Sequence, residues 1–212
     1  MASVPAMMVH FPHIHLASRS PRRREILAQI GVRFEVLLPE HETERFLEVD
    51  ETPRPGENPV DYVLRLAREK VAAGWTLLRL RGLPDAPVLA ADTTVCLDDR
   101  IIGKPADGAE AEAILSCLTG RTHQVHTGVA VALGDRIEAC VSTTAVTFGA
   151  LGPEQIRRYV GTGDPLDKAG AYGIQGPAGV FVSAIAGSHS GVMGLPVYET
   201  AKLLGRFGVL LP

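Results

Sequence analysis

The chain has 212 residues, of which 46% are hydrophobic and 21% are charged, and its formal net charge is −3 at pH 7. This composition is typical of a globular protein and excludes a disordered chain. The slight negative charge argues against general binding to nucleic acid or to a membrane surface, so neither is expected as a partner. We expect a cytoplasmic protein, because no stretch has the length of a membrane span or the pattern of a signal peptide.

Residues 1–12 show no clear hydrophobic periodicity, and we interpret them as a flexible N-terminal extension ahead of a single domain at 13–212. The three cysteines are far apart and odd in number, which indicates reduced thiols. His123 and His126 are three residues apart in a predicted strand, where that spacing places them on opposite faces. This spacing argues against a zinc site.

The first predicted unit is a short strand at 14–16 that runs into a helix. Ser20 suits the N-cap position of that helix and Pro21 suits its first turn. Ser18 precedes the cap, and three arginines follow it in the first turn of the helix: Arg22, Arg23 and Arg24. Backbone N–H groups, hydroxyls and guanidinium groups at a helix N-terminus form an anion site. A capped helix with a solvated basic first turn explains the same residues equally well.

A second strand is predicted at 32–38, followed by an acidic stretch at 40–44 and a polar loop at 45–57 that we expect to close over a neighbouring site. A helix then begins at Asn58. Its buried stripe is predicted to consist of Val60, Val63, Leu64, Ala67, Val71 and Leu78. Lys70 lies beside this stripe, and an exposed lysine is the simpler interpretation of that residue taken alone.

The run at 87–97 is almost entirely apolar, which indicates a strand buried on both faces. Asp92 interrupts this run. Because a buried carboxylate without a partner is costly, we expect Asp92 either to meet a cation or to lie at an open end of the strand. A turn at Asp98-Asp99 and a short return arm at 101–102 then lead to Lys104.

The second half of the chain alternates helices and strands. The predicted elements are a capped helix at 107–118, a hairpin of 122–133 with 136–148, a helix after Pro153, a glycine-rich segment at 164–179, a strand at 179–185, and a closing helix at 196–207 that packs on Tyr198, Leu203 and Leu204. No linker separates two cores. The predicted fold class is therefore α/β, with one mixed central sheet, flanking helices and a bilobed shape.

The polar residues left over after core assignment follow strands or open helices. They are Ser18, Ser20, Arg22, Arg23, Glu42, Asp92, Thr93 and Lys104. In open α/β sheets ligands bind beyond the strand ends, so we expect these groups to converge on one cleft. Several cations with two carboxylates suit a polyphosphate carried with a divalent metal. Neither GxxxxGK[ST] nor GxGxxG is present, which argues against P-loop and dinucleotide-binding folds.

Six ordered motifs resemble the signature blocks of the Maf family of nucleotide pyrophosphatases over residues 13–207. They are Ser18-Arg19-Ser20-Pro21-Arg22-Arg23, Ala91-Asp92-Thr93, Gly103-Lys104-Pro105, the run 119–123, the run 167–176, and Gly194-Leu195-Pro196. The resemblance implies a bilobed fold related to the inosine triphosphate pyrophosphatases, a homodimer, and cleavage of a nucleoside triphosphate to the monophosphate and pyrophosphate with Mg²⁺ or Mn²⁺. The motif versions are similar to those of the branch that acts on dTTP and UTP.

The resemblance also implies roles for single residues. Asp92 would accept a proton and, together with Glu42, hold the metal. The triphosphate would be bound by Arg22, Lys70 and Lys104, with the hydroxyls of Ser18 and Ser20 beside it. Base choice would depend on Arg23, Thr93 and Gln175. The family often shows two adjacent acids after the second strand, whereas Thr43 follows Glu42 in this sequence.

Three alternatives remain beside hydrolysis of dTTP and UTP. The same chemistry could act on 7-methylguanosine or inosine triphosphate, although a glutamine amide at 175 can accept from the uracil N3–H and donate to O4. The chain could instead be a non-catalytic nucleotide-binding regulator of septation. Finally, the charged residues could form a purely structural ion network.

Overall fold

A computed structural model describes residues 10–211, without the side chain of Phe46. Its strands are β1 (Ile14–Leu16), β2 (Phe34–Val36), β3 (Val88–Leu97), β4 (Arg100–Ile102), β5 (Thr122–Leu133), β6 (Arg136–Phe148) and β7 (Val182–Ala186). They form one seven-stranded sheet in the order β2-β1-β3-β5-β6-β7, with β4 paired to β3. β1 pairs in parallel with β2 and β3, and the other pairs are antiparallel. The predicted mixed sheet is confirmed.

One edge of β3 changes its partner halfway along the strand. β1 pairs with Val88 and Leu89 at the start of β3, whereas β4 pairs only from Val95 onward. Between these two points the edge of β3 carries Asp92 and Thr93. The sheet therefore divides at the polar interruption of an otherwise apolar strand, and this division opens the cleft described below.

The helices are α1 (Pro21–Gln29), α2 (Pro59–Leu80), α3 (Gly108–Leu118), α4 (Pro153–Val160), α5 (His189–Val192) and α6 (Val197–Arg206), and short 3-10 helices lie at Glu42–Leu47, Asp164–Asp167, Ala169–Ala171 and Pro177–Phe181. α2 approaches the sheet very closely at Gly128, where an added Cβ would lie 2.4 Å from the Val63 carbonyl oxygen. Gly128 is the β5 partner of Asp92. This glycine therefore lets α2 bring Lys70, two turns after Val63, against Asp92.

Separate apolar clusters build two lobes. One lobe packs β1 and the start of β3 against α1 and α6, through residues such as Leu16, Leu27 and Leu204. The other packs the end of β3 against α3, α4 and the 3-10 segments, through residues such as Val95 and Phe148. The predicted bilobed shape is confirmed. No helix within residues 10–211 is long and apolar enough to cross a membrane.

Two predicted core residues lie on the surface. Val60 is 38% exposed because it lies off the buried face of α2, which carries Pro59, Tyr62 and Val63, and Tyr198 is 67% exposed in the first turn of α6. The predicted strand at 179–185 begins only at Val182, since the five residues before it form a 3-10 helix. Most of the predicted extension at 1–12 lies outside the described residues. Phe11 belongs to this predicted extension and is described. It donates its N–H to the Gly208 carbonyl and packs against the core.

Candidate active site

A cleft of about 970 Å³ lies between the lobes, where the edge of β3 is divided. It is lined by the first turn of α1, the loop before α2, one face of α2, the polar part of β3, the segment after β4, and the glycine-rich segment. Six cationic and four anionic side chains line it: Arg19, Arg22, Arg23, Lys70, Lys104, Lys168, Glu48, Glu51, Asp92 and Asp167. The cleft therefore carries net positive charge, although the whole chain is negative.

The centre of the cleft is a charge cluster of one lysine and two carboxylates. Lys70 Nζ lies 2.7 Å from Asp92 Oδ1 and 2.5 Å from Glu51 Oε1. Asp92 is only 8% exposed, and burial raises the pKa of its carboxyl against the opposing charge and hydrogen bond of Lys70. Asp92 thus pairs with one ammonium group and is more basic than an exposed aspartate.

Glu51 reaches the cluster from the polar loop, which α2 anchors at two points. The Tyr62 hydroxyl donates to the Glu51 carbonyl oxygen at 2.8 Å, and Arg65 Nη2 donates to the Thr52 carbonyl at 3.2 Å. Burial raises the pKa of Tyr62 to about 12, so the phenol remains a donor at neutral pH. For Glu51, burial raises the pKa, but the hydrogen bond and charge of Lys70 outweigh burial and the net pKa is lowered. Glu51 is therefore ionised beside Lys70.

The first turn of α1 forms as predicted, and it buries one guanidinium group. Ser20 is the N-cap and accepts from the Arg23 backbone N–H at 3.4 Å. The Arg23 side chain donates to Ser18 Oγ at 3.0 Å, to the Gly194 carbonyl at 2.8 Å and to Thr93 Oγ1 at 3.3 Å. Burial lowers the pKa of Arg23, and the charge of Asp92 opposes that effect. Three of the five N–H donors of Arg23 are thus committed to neutral acceptors.

Two further cations in the cleft have no partner within residues 10–211. Among the described residues, Arg22 and Lys104 form no hydrogen bond and no ion pair through their side chains. Arg24, which follows in the same helical turn, is exposed and does not line the cleft. Cations that face a cleft without carboxylate partners are suited to bind phosphate oxygens.

The glycine-rich segment supplies the opposite wall of the cleft. Lys168 Nζ holds this segment together through Asp164 Oδ1 at 3.1 Å and Asp167 Oδ1 at 2.7 Å. Gly170 has a φ of 72° and packs so closely on Val95 that an added Cβ would lie 2.8 Å from a valine methyl. Gln175 follows in this wall, exposed and lining the cleft.

All but one of the predicted site residues line the cleft. The structure brings together Ser18, Ser20, Arg22, Arg23, Lys70, Asp92, Thr93, Lys104 and Gln175. Glu42 does not lie there, because it belongs to the 3-10 helix after β2, and its side chain is 88% exposed and 3.9 Å from Arg45. The structure therefore does not bring Glu42 to Asp92 as predicted, and the acid that meets Lys70 beside Asp92 is Glu51.

The sequence contains a pattern that points to Glu51 as a residue of the site. Asp50 and Glu51 are two adjacent acids after the second strand, which is the pattern the family resemblance called for. Within residues 10–211 no three His, Cys, Asp or Glu side chains come together as a metal-binding group. Asp92 and Glu51 place two carboxylates next to the Lys70 ammonium group. Carboxylate oxygens suit Mg²⁺ or Mn²⁺ when substrate phosphates and water complete the coordination shell of the ion.

Comparison with known proteins gives a consistent set of relatives. A family model described as Maf-like protein matches residues 13–207. The dTTP/UTP pyrophosphatase of Aromatoleum aromaticum is 54% identical over 92% of this chain and 95% of its own length. Those of Nitrosomonas europaea and Chromobacterium violaceum are each 51% identical, over 92% and 97% of this chain and 95% and 100% of their own lengths.

A solved structure, the Staphylococcus aureus Ham1 protein, aligns with a TM-score of 0.38 at 14% identity, covering 64% of this chain and 71% of that one. This structural similarity is too low to establish a relation between the two proteins. The relation to the inosine triphosphate pyrophosphatases therefore stays a prediction.

Proposed function

The chain belongs to the Maf family, and we propose that it hydrolyses dTTP and UTP to the monophosphate and pyrophosphate. The relatives at 51–54% identity, which carry the name dTTP/UTP pyrophosphatase, support this proposal. The observation that carries it is the ion cluster in the cleft, where Asp92 and Glu51 share Lys70 beside Arg22 and Lys104, two cations without an ion pair in the part of the chain that the structure describes. Such an enzyme is a hydrolase acting on an acid anhydride.

Asp92 is the general base of the proposed reaction. Its buried carboxylate has a raised pKa, which makes it a stronger proton acceptor than an exposed aspartate. A water molecule loses a proton to Asp92 as its oxygen attacks the α-phosphorus, and the bond from that phosphorus to the α,β-bridging oxygen breaks. The electron pair of that bond leaves with pyrophosphate.

The cations stabilise the charge that develops on the leaving pyrophosphate. Arg22 and Lys104 form no ion pair with a carboxylate among the described residues, so their donors are available to phosphate oxygens. The positive charge of Lys70 offsets the repulsion between the carboxylates of Asp92 and Glu51, and its contacts with both orient them. A divalent cation, when bound by Asp92 and Glu51, would neutralise charge on the triphosphate.

In this proposal, base choice depends on three residues that line the cleft: Arg23, Thr93 and Gln175. The glutamine amide can donate to the uracil O4, which leaves the uracil N3–H for a further acceptor in the cleft.

A nucleotide panel tests the proposal. The purified protein is incubated with dTTP, UTP, CTP, 7-methylguanosine triphosphate and inosine triphosphate, with Mg²⁺ or Mn²⁺, and released pyrophosphate is measured. We expect pyrophosphate from dTTP and UTP. If only a purine triphosphate is hydrolysed, the alternative of a 7-methylguanosine or inosine triphosphate pyrophosphatase is correct.

The same panel separates the enzyme from a regulator of septation that only binds nucleotides. Nucleotide binding by calorimetry without pyrophosphate release would favour the regulator. A buried carboxylate beside a triphosphate weakens simple binding unless a cation or a reaction uses it, which supports the enzyme. A purely structural ion network does not explain why Arg22 and Lys104 form no ion pair with any described residue. The homodimer stays a prediction that light scattering checks.

A further inference from the structure

A chain of hydroxyl groups runs from Arg23 into the sheet behind the cleft. Arg23 Nη2 donates to Thr93 Oγ1 at 3.3 Å. Thr93 Oγ1 lies 2.9 Å from Thr127 Oγ1, and Thr127 Oγ1 lies 2.8 Å from the Gly191 carbonyl oxygen. Thr93 and Thr127 are direct cross-strand partners on β3 and β5. Thr127 is completely buried, so it cannot touch a ligand in the cleft.

The direction of every hydrogen bond in this chain follows from its last member. A carbonyl oxygen only accepts, so the single hydroxyl proton of Thr127 is donated to Gly191. Thr127 must then accept in its contact with Thr93, and the single hydroxyl proton of Thr93 is consumed there. The Gly191 carbonyl also accepts the Gly194 backbone N–H at 2.9 Å, which fills both of its lone pairs.

Thr93 therefore faces the cleft as an acceptor only. One lone pair of its oxygen takes the Arg23 donor and its proton is held by Thr127, which leaves one lone pair for a ligand. Gln175 has no such constraint, because its side-chain amide forms no hydrogen bond with another described residue. A glutamine amide that can turn over donates to the O4 of uracil in one orientation and accepts from the N4–H₂ of cytosine in the other, so Gln175 by itself does not distinguish the two bases.

We propose that Thr127 is a positioning residue that makes the site prefer uracil and thymine over cytosine, by locking the Thr93 hydroxyl as an acceptor. This inference rests on the proposed function, in which Thr93 lines the cleft and takes part in base choice. Uracil and thymine carry a donor at N3 that satisfies the free lone pair of Thr93. Cytosine carries an acceptor at N3, which would face that lone pair without a proton between them.

Thr127→Val tests this inference. The substitution is nearly isosteric and removes the acceptor for the Thr93 hydroxyl, so that Thr93 becomes free to donate to the cytosine N3. We expect the ratio of kcat/KM for UTP to kcat/KM for CTP to fall by about tenfold, which corresponds to one matched against one unmatched buried hydrogen bond. Thr127→Ser keeps the hydroxyl and should keep the wild-type ratio. Circular dichroism and thermal melting check that each variant is folded.

Thr144→Val is the matched control. Thr144 is a buried threonine of β6 that donates to the Ser188 carbonyl at 3.2 Å and does not line the cleft. Its loss should leave the UTP to CTP ratio unchanged. If Thr127→Val does not fold, Thr127→Ala removes the same hydroxyl without adding an apolar methyl group next to the Gly191 carbonyl.

The outcomes separate the inference from the function on which it rests. Hydrolysis of UTP with an unchanged ratio in the folded Thr127 variant, or an equal fall in the Thr144 control, overturns the inference and leaves the proposed function intact. An equal loss for both nucleotides indicates a purely structural role and also overturns it. A wild-type protein that hydrolyses no pyrimidine triphosphate overturns the proposed function, and the inference with it.

Discussion

Glu44 and Asp92 are buried to the same extent, at 8% exposure, and both contact a cation of α2 or its C-terminal cap. The two carboxylates nevertheless differ in the number of hydrogen bonds that they accept. Both oxygens of Glu44 are bound, by Arg81 Nε at 2.9 Å and Arg81 Nη2 at 2.8 Å, and the backbone N–H groups of Glu40 and His41 add two further bonds. Asp92 accepts one hydrogen bond among the described residues, from Lys70.

The pKa values follow from that difference. The hydrogen bonds from Arg81 and from the Glu40 backbone lower the pKa of Glu44 to about 2. Burial raises the pKa of Asp92, because its single lysine does not compensate for lost hydration. At equal burial, the Glu44 carboxylate therefore stabilises the fold, whereas the Asp92 carboxylate stays basic enough to accept a proton in a reaction. The number of hydrogen bonds that a buried acid accepts distinguishes the two roles.

The largest expected effect is loss of turnover in Asp92→Asn. The amide cannot take a proton from water, so kcat should fall by about 10²- to 10⁴-fold. The thermal midpoint should stay near the wild-type value, because a raised pKa means that the fold gains nothing from ionising Asp92. Pyrophosphate release and thermal melting measure the two quantities. Turnover close to wild type would remove Asp92 from the reaction and erase the contrast with Glu44.

An intermediate effect is expected for Glu51→Gln, with Glu42→Gln as its matched control. Removing one of two carboxylates from the cluster should weaken activation by Mg²⁺ or Mn²⁺ by about 10- to 100-fold. Glu42→Gln should change nothing, because its exposed side chain does not line the cleft. Titrations of activity against metal concentration compare the two variants. A larger effect of Glu42→Gln would exclude Glu51 as the proposed metal ligand.

The smallest effect is on stability, in Glu44→Gln. The pKa of Glu44 is about 2 in the folded chain against an ordinary value of 4.5, so its ionised form stabilises the fold above pH 4.5 and this contribution is lost as pH falls toward 2. The variant should melt a few degrees below wild type at pH 7, and the gap should close between pH 4.5 and 2. Turnover should be unchanged. A gap that is independent of pH would contradict the assignment.

Local sequence rules predicted the elements and most of the site. The Ser20 and Asn58 caps, the Asp98-Asp99 turn and the long hairpin depend on neighbours in the chain, and each forms where expected. The acidic stretch after β2 shows the limit of such rules. Its Glu44 is bound by Arg81, 37 residues away, and this pair cannot be inferred from spacing.

The sequence alone therefore determined the α/β class, the family and the chemical types that meet in the cleft, because motifs and periodicity are local properties of the chain. Only the tertiary structure decided which acid joins Asp92, since Glu42 and Glu51 lie in the same loop region and the contacts of Tyr62 and Arg65 bring only Glu51 to Lys70. The tertiary structure also decided that the Thr93 hydroxyl donates its proton to Thr127. This direction depends on the Gly191 carbonyl, which packing across the sheet places beside Thr127.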